Sequence, residues 1–270
     1  MKFDYDSAWR DARNMARENR GLLGAIAGIF VFLPYALLLI LLPTIAALPE
    51  LPDDATFEQA MAAMDAFYAQ TWWAFALVLV LVTVGLLAML ALLGRRQRPT
   101  VGEAIGIAGK AVLPAGLALI LQSLGTNFVA LAVISIAGLI GNPALLFVAA
   151  VLALGLSLYL STRLSLAAPV VAIGGERNPF KALRRSWENT RGNGMRLLGF
   201  YALLFLAVVV VALVATMITG VLAALVGEAG ADVISMVFGA ALMSAIIVLS
   251  AVVLAAVHRQ FTRLATPRDD

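Results

Sequence analysis

The sequence predicts an all-α integral membrane protein: six transmembrane helices forming three helical hairpins, each preceded by an amphipathic interfacial helix on the cytoplasmic side. Three observations predict it. Of the 270 residues, 62% are hydrophobic and 13% are charged, whereas a soluble domain carries about a quarter charged residues. That much apolar surface needs lipid as its solvent. Six apolar runs are each long enough to cross about 30 Å of hydrocarbon at about 1.5 Å per residue. They must be helical, because backbone groups in lipid are satisfied within the chain and the alternation of a barrel strand is absent. Finally, all 19 Lys and Arg residues fall on one side of the predicted membrane.

Residues 3–20 (FDYDSAWRDARNMARENR) form the first interfacial helix, with Tyr5, Trp9, Ala12 and Ala16 at helical spacing and Arg10, Arg13 and Arg17 turned away. Asp4 and Asp6 favour its N-terminus. Four acids ahead of a long apolar run argue against a signal peptide. The first span covers about 21–48. Its Gly24-xxx-Gly28 spacing predicts a close helix contact, and Pro34 and Pro43 predict a kink or an end. An acidic loop follows, in which Thr56 and Gln59 fit a capping box opening a short outer helix. The second span covers about 71–94, with Trp72 and Trp73 as interfacial anchors.

Arg95, Arg96 and Arg98 end that span and Pro99 breaks the chain. Thr100 and Glu103 make a second capping box, opening an interfacial helix over 100–110. The third span is expected over 111–140 and the fourth over 144–162, joined by a turn at Gly141, Asn142 and Pro143. Past Arg163 the fourth helix is expected to extend toward Pro169. The third interfacial helix covers 178–191, capped by Asn178 with Pro179 in its first turn. Phe180, Leu183 and Trp187 mark its apolar face. Gly192 and Gly194 end it, and the fifth and sixth spans cover about 197–226 and 233–257.

The nineteen bases share their side with nine acids, while the opposite side carries seven acids and no base, which accounts for the net charge of +3. The positive-inside rule then places both termini in the cytoplasm of a bacterial inner membrane. The absence of cysteine excludes disulfides, thiolate metal sites and a cysteine nucleophile. A single histidine, His258, excludes a bis-histidine haem or a His-rich metal site within one chain, and no cofactor or metal is expected. Phosphate-binding glycine loops, H-E-x-x-H and G-x-S-x-G are all absent.

Four stretches carry a family resemblance: AWRDARNMARENRGLL near the start, VGEAI at 101–105, TRLSLAAPVVA at 162–172 and RRSWENTRGN at 184–193. With the order of segments, they resemble the bacterial family that includes the membrane domain attached to some glycerophosphoryl diester phosphodiesterases and its YciC-like relatives. The resemblance implies six helices and a basic cytoplasmic face. It implies no catalysis, since in the family's enzymes the phosphodiesterase activity belongs to a separate soluble domain.

Candidate sites follow from the charge pattern. Arg184, Arg185, Trp187 and Arg191, with Trp9 and Arg13 as the N-terminal counterpart, form a basic collar suited to anionic lipid head groups or an acidic protein partner. Cations interleaved with Trp beside membrane spans point to lipid rather than nucleic acid. Glu103 and Arg163 are candidates for a structural ion pair, the alternatives being a capping carboxylate and a head-group-bound arginine. Gln122, Ser123, Thr126 and Asn127 form a polar cluster midway along the third span, read either as interhelical hydrogen-bonding or as an internal substrate site. His258 reads as an interfacial residue. No catalytic residue is assigned.

The expected function is that of a non-enzymatic accessory or structural membrane protein, within a larger membrane assembly or in contact with anionic lipid. The alternative is a transporter or carrier of a small amphipathic molecule or lipid. A third reading, an enzyme acting on lipid, would need Glu103 or Glu188 as its carboxylate.

Overall fold

The computed structural model describes residues 2–41, 55–94 and 99–265, and among these every regular element is a helix. Helix α1 (Tyr5–Glu18) is capped by Asp4, whose carboxylate accepts from the N–H groups of Asp6 and Ser7. Its end is set by Asn19, whose amide donates to the Met15 carbonyl at 2.9 Å. The first span is α2 (Arg20–Ala27), a π-helical turn at Gly28–Phe32, and α3 (Leu33–Leu41). The widened turn lies just ahead of Pro34. A proline there has no N–H for the Phe30 carbonyl and crowds it, and one π turn absorbs the mismatch. Pro43 and the acidic residues Glu50, Asp53 and Asp54 lie outside the described residues, as do Arg95, Arg96 and Arg98.

The other spans are α4 (Phe57–Gly94), α5 (Val101–Gly138), α6 (Pro143–Leu164) with its short continuation α7 (Ala167–Ala172), α9 (Gly194–Ala224) and α10 (Glu228–Ala265). The surface helix α8 (Pro179–Asn189) precedes α9. Six of these helical stretches are long and apolar enough to cross a membrane. Consecutive spans pack against each other as hairpins.

Both predicted capping boxes form. Thr56 and Gln59 exchange bonds of 2.9 and 3.3 Å, and Thr100 and Glu103 exchange bonds of 2.8 and 3.4 Å. The helices they open, however, do not stop at the membrane surface. The outer helix runs straight into the second span, and the expected 100–110 helix is the first three turns of α5. Each continuous helix has 38 residues, reaching about 57 Å at the usual rise. No glycine–proline or turn pair separates the polar and apolar parts. Lys110 changes the surface that α5 crosses, not its backbone. A true break occurs before α9, where Gly192 adopts φ +78°, a conformation that favours glycine. The break between α6 and α7 places Pro169 in the first turn of α7, where a missing N–H costs nothing.

The core lies toward the basic end of the bundle. Leu87, Ala88, Met89, Leu90 and Ala91 of α4 are all fully buried, together with Ala251 to Val253 and Ala255 to Val257 of α10 and Val170 to Ala172 of α7. A helix enclosed all round is apolar all round. Further along the spans the apolar side chains face outward: Leu139, Phe147, Leu213, Met217 and Leu225 are all exposed. Only lipid makes that surface tolerable. The three hairpins are not equivalent: the spans α4 and α10 are far more enclosed than α5, α6 and α9.

Close packing of the first hairpin does not use Gly24 and Gly28 as the spacing predicts. A Cβ at either glycine would meet nothing within 4 Å. The close approach is at Gly85, where a Cβ would lie 2.8 Å from the Cβ of Phe30 in the π turn. Neither atom can rotate away. Gly85→Ala is therefore expected to destabilise the hairpin by about 1–3 kcal/mol, whereas Gly24→Ala is expected to be neutral or to stabilise by up to about 1 kcal/mol. Thermal unfolding of the two variants in detergent checks the contrast.

Candidate functional site

The basic end is organised around Arg163. Its side chain is 6% exposed and fully engaged. Nε donates to the Thr190 hydroxyl at 2.8 Å, one terminal nitrogen donates to the Tyr159 hydroxyl at 3.1 Å, and the other donates to the Trp187 carbonyl at 2.7 Å. The guanidinium lies 3.9 Å from the centre of the Trp187 ring, a geometry that contributes about 0.5–2 kcal/mol. No carboxylate takes part. Neutral oxygens and a π face hold the buried cation, which suits the planar fork of arginine.

The expected Glu103–Arg163 ion pair does not form. Glu103 is occupied by its capping box, its carboxylate accepting from the Thr100 N–H and hydroxyl. Two short residues complete the Arg163 knot instead. The Ser186 hydroxyl donates to the Arg163 carbonyl at 2.9 Å and accepts from the Leu166 N–H at 3.1 Å, bridging the break between α6 and α7. The Thr190 hydroxyl reaches the same carbonyl. Gly194 closes the knot, because a Cβ there would lie 2.7 Å from Cδ of Arg163.

These contacts set which face of α8 packs inward. The face against the protein is Ala182, Ser186 and Thr190, all fully buried. Phe180 is 66% exposed and Trp187 is 39% exposed. The aromatic stripe faces outward, beside the exposed cations Lys181, Arg184 and Arg191. Arg184 pairs with Glu188 at 2.8 Å. That carboxylate raises its pKa further above the ordinary arginine value, through a hydrogen bond and its charge. Arg185 pairs with Glu176 at 3.2 Å, so it ties α8 to the preceding loop rather than standing free.

The N-terminal counterpart behaves alike. Ala8, Ala12 and Met15 are the buried face of α1, against α10, while Trp9 and Arg13 are exposed. Trp9 thus lies on the flank of the packing face and not within it. Arg263 of α10 reaches Asp11 at 3.5 Å. The element that anchors α1 is Phe3. It is 3% exposed, stacks on Phe261 at 5.4 Å and meets Phe200 edge-on at 5.6 Å, and its N–H donates to the Asn193 amide oxygen at 2.8 Å.

In the polar cluster of α5, Thr126 and Asn127 bond within their own helix, while the Gln122 amide oxygen is enclosed without a partner. The Thr126 hydroxyl donates to the Gln122 carbonyl at 2.9 Å, and the Asn127 amide donates to the Ser123 carbonyl at 2.8 Å. Ser123 and Asn127 are exposed on the outer surface, so neither interhelical bonds nor a chamber inside the bundle is built from them. Among the described residues no group of His, Cys, Asp or Glu side chains is placed to hold a metal ion.

A cavity of about 770 Å³ opens at the basic end, between the end of α1, the start of α2, the end of α4 and the last turns of α10. Gln122 is not among its walls, whereas His258 and Arg259 are.

Six apolar spans, surface helices bearing cations and aromatics, and a buried arginine knot define a polytopic α-helical membrane domain. The chain belongs to the family of the membrane domain of glycerophosphoryl diester phosphodiesterase, which it matches over residues 112–268. The match is to that membrane domain and not to a catalytic domain. No curated protein and no solved structure matches the chain.

Proposed function

We propose that the protein is a non-enzymatic accessory component of a bacterial inner membrane that engages anionic lipid through the outward face of α8. The basic end faces the cytoplasm on this reading, as the one-sided distribution of Lys and Arg favours. The observation that carries the proposal is the orientation of α8: its small-residue face is clamped to the body by Ser186 and Thr190, leaving Phe180, Trp187, Lys181, Arg184 and Arg191 exposed together, with Arg184 paired to Glu188 and Trp187 stacked on Arg163. An aromatic stripe at acyl depth with cations among head groups is how interfacial helices hold anionic membranes. The two carboxylates considered for chemistry on lipid are both engaged, Glu103 by Thr100 and Glu188 by Arg184. A carrier built on the α5 cluster has little support, because Ser123 and Asn127 point away from the bundle.

The test is lipid retention by the detergent-purified protein, read by native mass spectrometry. The wild type is expected to retain phosphatidylglycerol in preference to phosphatidylcholine. The variant Lys181→Gln/Arg184→Gln/Arg191→Gln is expected to lose up to about a hundredfold of that preference, at about 1 kcal/mol per cation near an anionic surface. An unchanged preference in the triple variant overturns the proposal.

A further inference from the structure

The cavity at the basic end lies outside the face of α8 and is used by nothing described so far. Its walls are divided. Leu22, Leu92, Leu93 and Ile173 make an apolar side. Glu18 from α1 and His258 and Arg259 from α10 make a polar side. Arg263 also reaches the cavity but is paired with Asp11. Glu18 and Arg259 are engaged in no ion pair or hydrogen bond, with each other or with any other described residue. Among the described residues, then, a carboxylate and a guanidinium without partners address the same space. The Nδ1 atom of His258 is enclosed and has no hydrogen-bond partner, which is a costly arrangement for a buried polar atom.

This combination selects a ligand class. A purely anionic head group would meet Arg259 but also the uncompensated charge of Glu18. A purely cationic one would meet the reverse. We propose that the cavity binds a phospholipid head group carrying a primary ammonium beside a phosphodiester, with Arg259 on the phosphate and Glu18 on the ammonium. Guanidinium suits phosphate oxygens, and an ammonium offers a carboxylate three donors. The apolar side accepts the upper acyl chain, and the volume is within the range of small-molecule sites.

The test titrates the full chain in detergent with phosphatidylethanolamine, phosphatidylcholine and phosphatidylglycerol, read by native mass spectrometry. Phosphatidylethanolamine is expected to bind about tenfold or more tightly than the other two, because only it satisfies both charges with hydrogen bonds. Glu18→Gln is expected to abolish its advantage over phosphatidylglycerol, and Arg259→Gln to weaken all three lipids. Both side chains are exposed, so the variants should unfold at the wild-type temperature. Competition by soluble glycerophosphoethanolamine separates the sources of the same chemistry. Weak competition assigns the site to lipid, and competition as strong as the lipid's assigns it to the free head group. The triple substitution on α8 should leave the ethanolamine preference unchanged, which separates this site from the anionic-lipid reading. Equal binding of the three lipids, or a preference that survives both Glu18→Gln and Arg259→Gln, overturns the proposal.

Discussion

Arg163→Ala is expected to destabilise the protein by about 3 kcal/mol, on the scale of one or two charge-assisted hydrogen bonds and a cation–π contact. The substitution removes the donors to Thr190, Tyr159 and the Trp187 carbonyl at once. It also leaves the Trp187 ring without the guanidinium at 3.9 Å. Because α8 is held by this knot, the loss should spread to its outward side. Arg163→Lys is expected to recover little, since one ammonium on a flexible stem cannot reach three acceptors and lie flat on an indole. Thermal unfolding in detergent, followed by tryptophan fluorescence, reads both variants. A lysine variant as stable as the wild type would show that charge alone, and not the arginine fork, holds α8.

The second large effect is expected at Phe3. Truncation to alanine should cost about 3–5 kcal/mol, as for other fully buried aromatics. The ring is enclosed by Tyr5, Phe200 and Phe261, and its loss would leave a hole where the chain's beginning, the fifth span and the end of the sixth converge. Asn193→Ala tests the same junction from its polar side. It strands the buried Phe3 N–H, at a cost of about 1–3 kcal/mol. Lys2→Ala, at an exposed neighbour, is the control and should change the unfolding temperature little. If Phe3→Ala unfolds like that control, α1 is not anchored by the aromatic cluster.

Much of the local structure was legible in the sequence because it depends on nearest neighbours. The Asp4, Thr56, Thr100 and Asn178 caps all form where the residue types place them. The turn at Gly141 forms too, with φ +70°, and Pro34 disturbs its helix as expected. Which face of a surface helix packs inward was less legible, because the pattern suits two environments. In α8, Phe180, Leu183 and Trp187 mark the apolar face, and Phe180 and Trp187 lie outward. The small residues Ala182, Ser186 and Thr190 allow the closer approach and went inward. In α1 the same preference buried Ala8 and Ala12 and left Trp9 outside. The Gly24-xxx-Gly28 spacing had no partner, because the helix that comes close meets the first span at the π turn instead.

The sequence by itself determined the class of protein, the number of spans and the asymmetry of charge. Those follow from composition, run length and local capping, which need no knowledge of what lies across the bundle. Only the tertiary structure decided that Arg163 is held by Thr190, Trp187 and Tyr159 rather than by Glu103. Only the tertiary structure brought Phe3 to Phe261 and Glu18 to the cavity shared with Arg259. These contacts join residues up to some 250 positions apart. They depend on how six helices, almost equally apolar on every side, rotate to bury their smallest faces. Periodicity within one helix carries no information about that rotation when lipid accepts the large side chains as readily as a core does.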